Sequence, residues 1–188
     1  MTVDAPAWAG YQSSADIPVD IYFIPMWPEK DFAMSTKDIF IPKENSIQAP
    51  GNDFHWNFGS EVTRAEKALF FLHEFPPTGE LSWVMSGITG TLDDENYFSF
   101  KMSVPYIDDT LLERTYKLGD ELHVSHTHSI PAPPGFTGFR VVDADNAELT
   151  IRLDPITGTV QGDFNAIFKS EGYRLKPNGT FKLTRDDQ

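Results

Sequence analysis

The sequence predicts an all-β, mostly antiparallel domain, with a β-sandwich ranked first and a closed β-barrel second. At most one or two short helices are expected. Apolar residues recur with a period of two through much of the chain, where a helix would scatter each apolar set around its circumference. Clusters of Asp, Asn, Gly and Pro separate these runs at short intervals, each with its own turn chemistry. Many short strands joined by hairpin loops bury one face each, and layered or rolled sheets are the solutions that do so.

Taken in order, residues 19–24 read as a strand ended by Pro25, and 38–41 as a short strand ended by Pro42. A polar loop runs over 42–52. Phe54, Trp56 and Phe58 then share one strand face, with His55 and Asn57 on the other. Thr63-Arg64-Ala65-Glu66 has capping-box spacing, but the aromatic run 69–75 stops at Pro76-Pro77, so a buried strand after one helical turn is expected. Asp93-Asp94-Glu95-Asn96 reads as a hairpin loop before 97–104, where Phe98, Phe100, Met102 and Val104 line one side. Thr110-Leu111-Leu112-Glu113, preceded by Asp108 and Asp109 and closed by Gly119, predicts a short helix. Pro131-Ala132-Pro133-Pro134-Gly135 is a stiff connector. Asp143-Ala144-Asp145-Asn146 reads as a second hairpin loop, ahead of the alternating strand 147–153. Residues 154–158 turn into a strand over 159–168, and Pro177-Asn178-Gly179 precedes a last strand over 180–185.

The chain of 188 residues suits a single β domain spanning 1–188, with 1–16 as a loosely ordered N-terminal segment. Its net charge of −13, without any Lys/Arg cluster, argues against binding to nucleic acid or to an anionic membrane. The absence of cysteine removes disulfides, zinc–thiolate sites and thiol nucleophiles. The first residues carry neither a basic nor an apolar run, so the cytoplasm is the expected compartment.

One cluster stands out for its chemistry, His123-Val124-Ser125-His126-Thr127-His128. On a strand, His126 and His128 share a face at about 7 Å separation, a spacing at which two imidazoles can reach one divalent transition metal. His123 has the opposite parity and joins such a site only through a bulge. His55, His73 and Glu74 are candidate third ligands from other strands. Ser125 lies beside His126 but points to the other face, so the two do not form a nucleophile–base pair. Neither a nucleophile elbow nor a glycine-rich phosphate cradle is present in the sequence. Trp27, Phe136, Phe139 and His55 are candidates for a ligand or partner surface.

These features predict a non-enzymatic binding module that recognises a partner protein or small ligand through loops and one sheet face. One form of it is an acidic inhibitor steered by charge onto a basic protein. The alternatives are a metal-dependent enzyme built on His126 and His128, and an assembly subunit whose strand edges pair with other copies in a homo-oligomer.

Overall fold

The computed structural model describes residues 49–187, which belong to one compact unit, Pro42–Gln188. The strands expected at 19–24 and 38–41, the segment 1–16 and Trp27 lie outside the described residues.

The strands in chain order are β1 (Asp53–Phe58), β2 (Glu61–Arg64), β3 (Lys67–Phe75), β4 (Glu80–Thr89), β5 (Phe98–Pro105), β6 (Leu112–Lys117), β7 (His123–Ile130), β8 (Gly138–Asp143), β9 (Asn146–Asp154), β10 (Thr159–Ile167) and β11 (Asn178–Thr184). They form a six-stranded sheet ordered β2-β1-β11-β10-β9-β6 and a five-stranded sheet ordered β3-β4-β5-β7-β8. The two antiparallel sheets pack face to face without closing into a barrel, which makes the fold a β-sandwich. The sole helical element among the described residues is a 3-10 turn at Ser170–Gly172. No helix among them is long and apolar enough to cross a membrane.

Three local expectations are corrected. The segment expected as a helix around Thr110 instead forms β6, because tertiary pairing outweighs the capping-box spacing. Leu112, Arg114 and Tyr116 take one face, and Tyr116 is fully buried. Glu113 pairs with Arg152 at 3.0 Å, Lys117 with Glu148 at 3.7 Å, and the Thr115 and Thr150 hydroxyls meet at 3.1 Å across the other face. The helical turn expected at Thr63–Glu66 is also replaced by extended chain. Ala65 N–H donates to Phe54 of the six-stranded sheet and Glu66 N–H to Ile88 of the five-stranded one, so the backbone changes sheets there. Finally, Asp143–Asn146 is not a hairpin. It carries the chain from β8 in one sheet to β9 in the other.

The core is aromatic. Phe54 lies 5.7 Å, centroid to centroid, from both Phe164 and Phe181, and Trp56 packs edge-on to Phe100 at 5.4 Å. Gly87 permits a close approach between the sheets, since a Cβ there would overlap the Phe54 ring. Any side chain at Gly87 must therefore displace Phe54, which is itself packed on Trp56, Phe164 and Phe181. Gly87→Ala is expected to lower unfolding stability by about 1–3 kcal/mol, measured by urea denaturation. An unchanged midpoint would contradict this close packing.

Candidate functional site

Alternation along β7 turns Val124, His126 and His128 inward and Ser125 and Thr127 outward. The expected pairing of His126 with His128 is therefore realised, with ring centroids 5.2 Å apart in a stacked arrangement. The surroundings are not a solvated polar face. His126 is 1% exposed. Its ring stacks on Phe98 at 5.6 Å and meets Phe168 and Tyr173 edge-on at 4.7 and 5.2 Å. Phe100 closes a further side at 6.3 Å.

This enclosure leaves hydrogen-bonding capacity unmet. Neither Nδ1 nor Nε2 of His126 has a partner, and the same holds for Nδ1 of His128 and Nε1 of Trp56, all of them buried. A buried polar atom without a partner costs about 1–3 kcal/mol. His128 Nε2 does have a partner, the Tyr173 hydroxyl at 3.2 Å. Burial, reinforced by neighbouring His128, pushes the His126 pKa down to about 4. Burial and the Arg140 guanidinium likewise lower that of His128. Both rings are thus neutral near pH 7, each with one N–H donor and one acceptor nitrogen.

Phe58, 39% exposed, touches Phe98 and Phe100 at centroid distances of 6.0 Å. Arg140 stands directly across from His128 on β8 and is exposed. Tyr173 is half-buried and follows the 3-10 turn. That turn is tied to the β8–β9 crossover by the Asp145 carboxylate. It accepts the Lys169 N–H, the Ser170 N–H at 3.0 Å and the Ser170 hydroxyl. These bonds, the Ser170 hydroxyl foremost, hold the Asp145 pKa down to about 2.

The other sequence candidates lie elsewhere. His123 is exposed on the opposite face of β7. His55 is on the outer face of the six-stranded sheet, bonded to the Thr180 hydroxyl at 2.8 Å and 3.6 Å from Asp53. His73 pairs with Ser82 on the outer face of the five-stranded sheet, and Glu74 pairs with Leu81 near the end of β3 remote from Ala68. The row that contains His126 instead runs through Phe100, Gly87 and Ala68. Among the described residues, no group of three or more His, Cys, Asp or Glu side chains gathers in a way that could hold a metal ion. Phe136 is 72% exposed in the loop before β8, and Phe139 is exposed opposite Ser129, on the far side of the sheet from His128.

No family model, curated protein or solved structure matches this chain. The chemical reading therefore rests on the geometry.

Sequence reasoning missed Tyr173, Arg140 and the aromatic walls as parts of a site. Phe98, Phe100 and Phe168 carried a signal, but as core residues on alternating strands. Tyr173 lies beyond its strand in a turn, where no periodicity marks it.

The lowered pKa of His126 fixes a sign. An unfolded chain with an ordinary imidazole at 6.5 binds more protons than the folded one between that value and about 4. Stability from neutral His126 is fully present above the upper value and is lost as pH falls through the window, by at most about 1.4 kcal/mol per pH unit. His126→Phe is expected to remove most of this slope. Chemical denaturation of both proteins across the window checks it, and identical slopes would contradict the burial of His126.

Proposed function

We propose that this chain is a non-enzymatic binding module whose ligand enters the mouth formed by Phe58, Phe98, His128, Arg140 and Tyr173. The observation that carries the reading is His126, a fully buried imidazole with both nitrogens unpartnered in an aromatic surround. A core side chain without function at this position would be apolar, since an aliphatic or aromatic residue fills the space without the unmet bonds.

The surround defines the ligand class. Flat aromatic walls favour a planar apolar body. Neutral imidazoles offer one donor and one acceptor each, which suits a hydroxyl, carbonyl or carboxyl group at its inner end. Arg140 at the rim favours an anionic substituent. A planar ligand bearing a carboxylate meets all of these conditions. Entry requires Tyr173 to yield its bond to His128, and that half-buried side chain on a turn is the element best placed to move.

Two imidazoles with free nitrogens also support the metal reading, with the Tyr173 hydroxyl as a third donor. One experiment separates the two. Benzoate, the simplest planar carboxylate, is titrated at millimolar concentration against Tm and tryptophan fluorescence, and Zn²⁺ is titrated alone in parallel. Benzoate is expected to raise Tm in the wild type but not in His126→Phe or Arg140→Ala. Stabilisation by Zn²⁺ alone, abolished in His126→Phe, would select the metal reading. No shift with either probe would defeat the proposed site.

A further inference from the structure

The turn that carries Tyr173 is a unit standing on a fixed base. At its root Ala166 N–H donates to the Pro177 carbonyl at 2.9 Å, and Phe168 and Leu175 exchange both backbone bonds at 2.9 and 3.1 Å. Phe168 at this base is fully buried and lies against His126. Beyond it, residues 169–174 leave the ladder and bond among themselves. Tyr173 N–H donates to the Ser170 carbonyl at 3.1 Å, and the Arg174 guanidinium to the carbonyls of Lys169 and Tyr173 at 3.2 and 2.6 Å. Gly172, at a φ of 87°, supplies the reversal before Tyr173.

Two sets of contacts tie this unit to the sandwich. At one end Tyr173 meets His126 and His128 edge-on at 5.2 and 5.6 Å, and its hydroxyl bonds to His128 Nε2 at 3.2 Å. At the other end the Asp145 carboxylate accepts the Lys169 N–H, the Ser170 N–H and the Ser170 hydroxyl. Asp145 is itself pinned to both sheets. Its N–H donates to the Ile167 carbonyl at 2.8 Å, and the preceding Ala144 N–H to that of Val124 at 2.9 Å. The Ser170 hydroxyl foremost holds the Asp145 pKa down to about 2, so the carboxylate is ionised at neutral pH, and bonds to an ionised acceptor are the stronger ones. The rest of the tip is solvated, with Lys169, Ser170, Gly172 and Arg174 exposed.

We propose that residues 169–174 form a gate over His126 and His128, with Tyr173 as its plug and Asp145 as the latch that holds it shut. The inference rests on the binding reading above for the gate's purpose, since a ligand that reaches His126 passes Tyr173. The two ends of the unit have different roles. Tyr173 contacts the histidines, the groups a ligand itself uses, so those contacts are exchanged on entry. The Asp145 bonds lie away from the ligand and set how often the turn opens. Opening is local, because the Phe168–Leu175 base and both sheets stay paired. Asp145 is a positioning residue that acts through Tyr173 on the rates of entry and exit.

Diethyl pyrocarbonate, which acylates neutral imidazole nitrogens, probes the gate without any ligand. The full chain is treated at neutral pH, and acylation of His126 is followed by fragment mass spectrometry, with circular dichroism to verify folding. Wild-type His126 is expected to react far more slowly than free N-acetylhistidine. Asp145→Ala is expected to speed its reaction about tenfold or more, and Ser170→Ala, which removes a single bond, by a smaller factor. Gly162→Ala, whose added Cβ would overlap the Thr150 carbonyl in the six-stranded sheet, destabilises the sandwich without touching the turn and is expected to leave the His126 rate unchanged. If Asp145→Ala does not fold, Ser170→Ala carries the test. Folded latch variants that react at the wild-type rate overturn the gate. So does a Gly162→Ala rate that matches theirs, because the reaction then runs through global unfolding. Failure of benzoate to stabilise the protein removes the ligand assignment and leaves this outcome standing, so the two readings fail separately.

Discussion

A strand that buries Val124 must also bury His126. Side chains on β7 alternate sides, so the parity that places Val124 between the sheets places both imidazoles there as well. A shift by one residue would put Ser125 and Thr127 into the aromatic core instead, and lose Val124 from it. The register with β5, Phe98 opposite His128 and Phe100 opposite His126, completes the enclosure. Burial of the imidazoles is thus a consequence of strand geometry, and their neutrality and unmet hydrogen bonds follow from burial.

Polar side chains act elsewhere as connectors between elements that backbone pairing leaves unjoined. Asp145, at the crossover between sheets, holds the turn that carries Tyr173 over the histidines. Asn52 links the end of β11 to the edge of β3, and Asp186 pairs with that edge. These residues fix two places on the sandwich: the turn beside the histidines and the capped edge of β3. The outer face of the six-stranded sheet differs from both. Its residues alternate in charge and pair across strands, as Glu113 does with Arg152, and such exposed pairs contribute little individually.

The fold class was legible because alternation is a local property. The faces of Phe54-Trp56, of Phe98-Phe100-Met102 and of Leu149-Ile151-Leu153 could each be read without knowing their neighbours. The shared face of His126 and His128 was legible for the same reason. The misread segments required knowledge of partners. Thr110-Leu111-Leu112-Glu113 satisfies a helix start in isolation, and only the facing Arg152, Thr150 and Glu148 make a strand of Leu112–Lys117. Asp143-Ala144-Asp145-Asn146 has hairpin chemistry, yet the chain leaves its sheet there. The surroundings of the histidines came from β1, β5, β8 and the turn after β10, and spacing in sequence does not report that convergence. His55, His73 and Glu74 had suitable chemistry but lie on other faces or at a remote strand end.

A neutral imidazole buried inside the sandwich is the premise of the proposed mouth, and histidine side-chain NMR tests it directly. In a pH titration of uniformly ¹⁵N-labelled protein, the His126 ring nitrogens are expected to keep a neutral signature well below the ordinary imidazole value of 6.5, titrating only near 4. A His126 that titrates at the ordinary imidazole value would contradict its burial, and with it the proposed mouth.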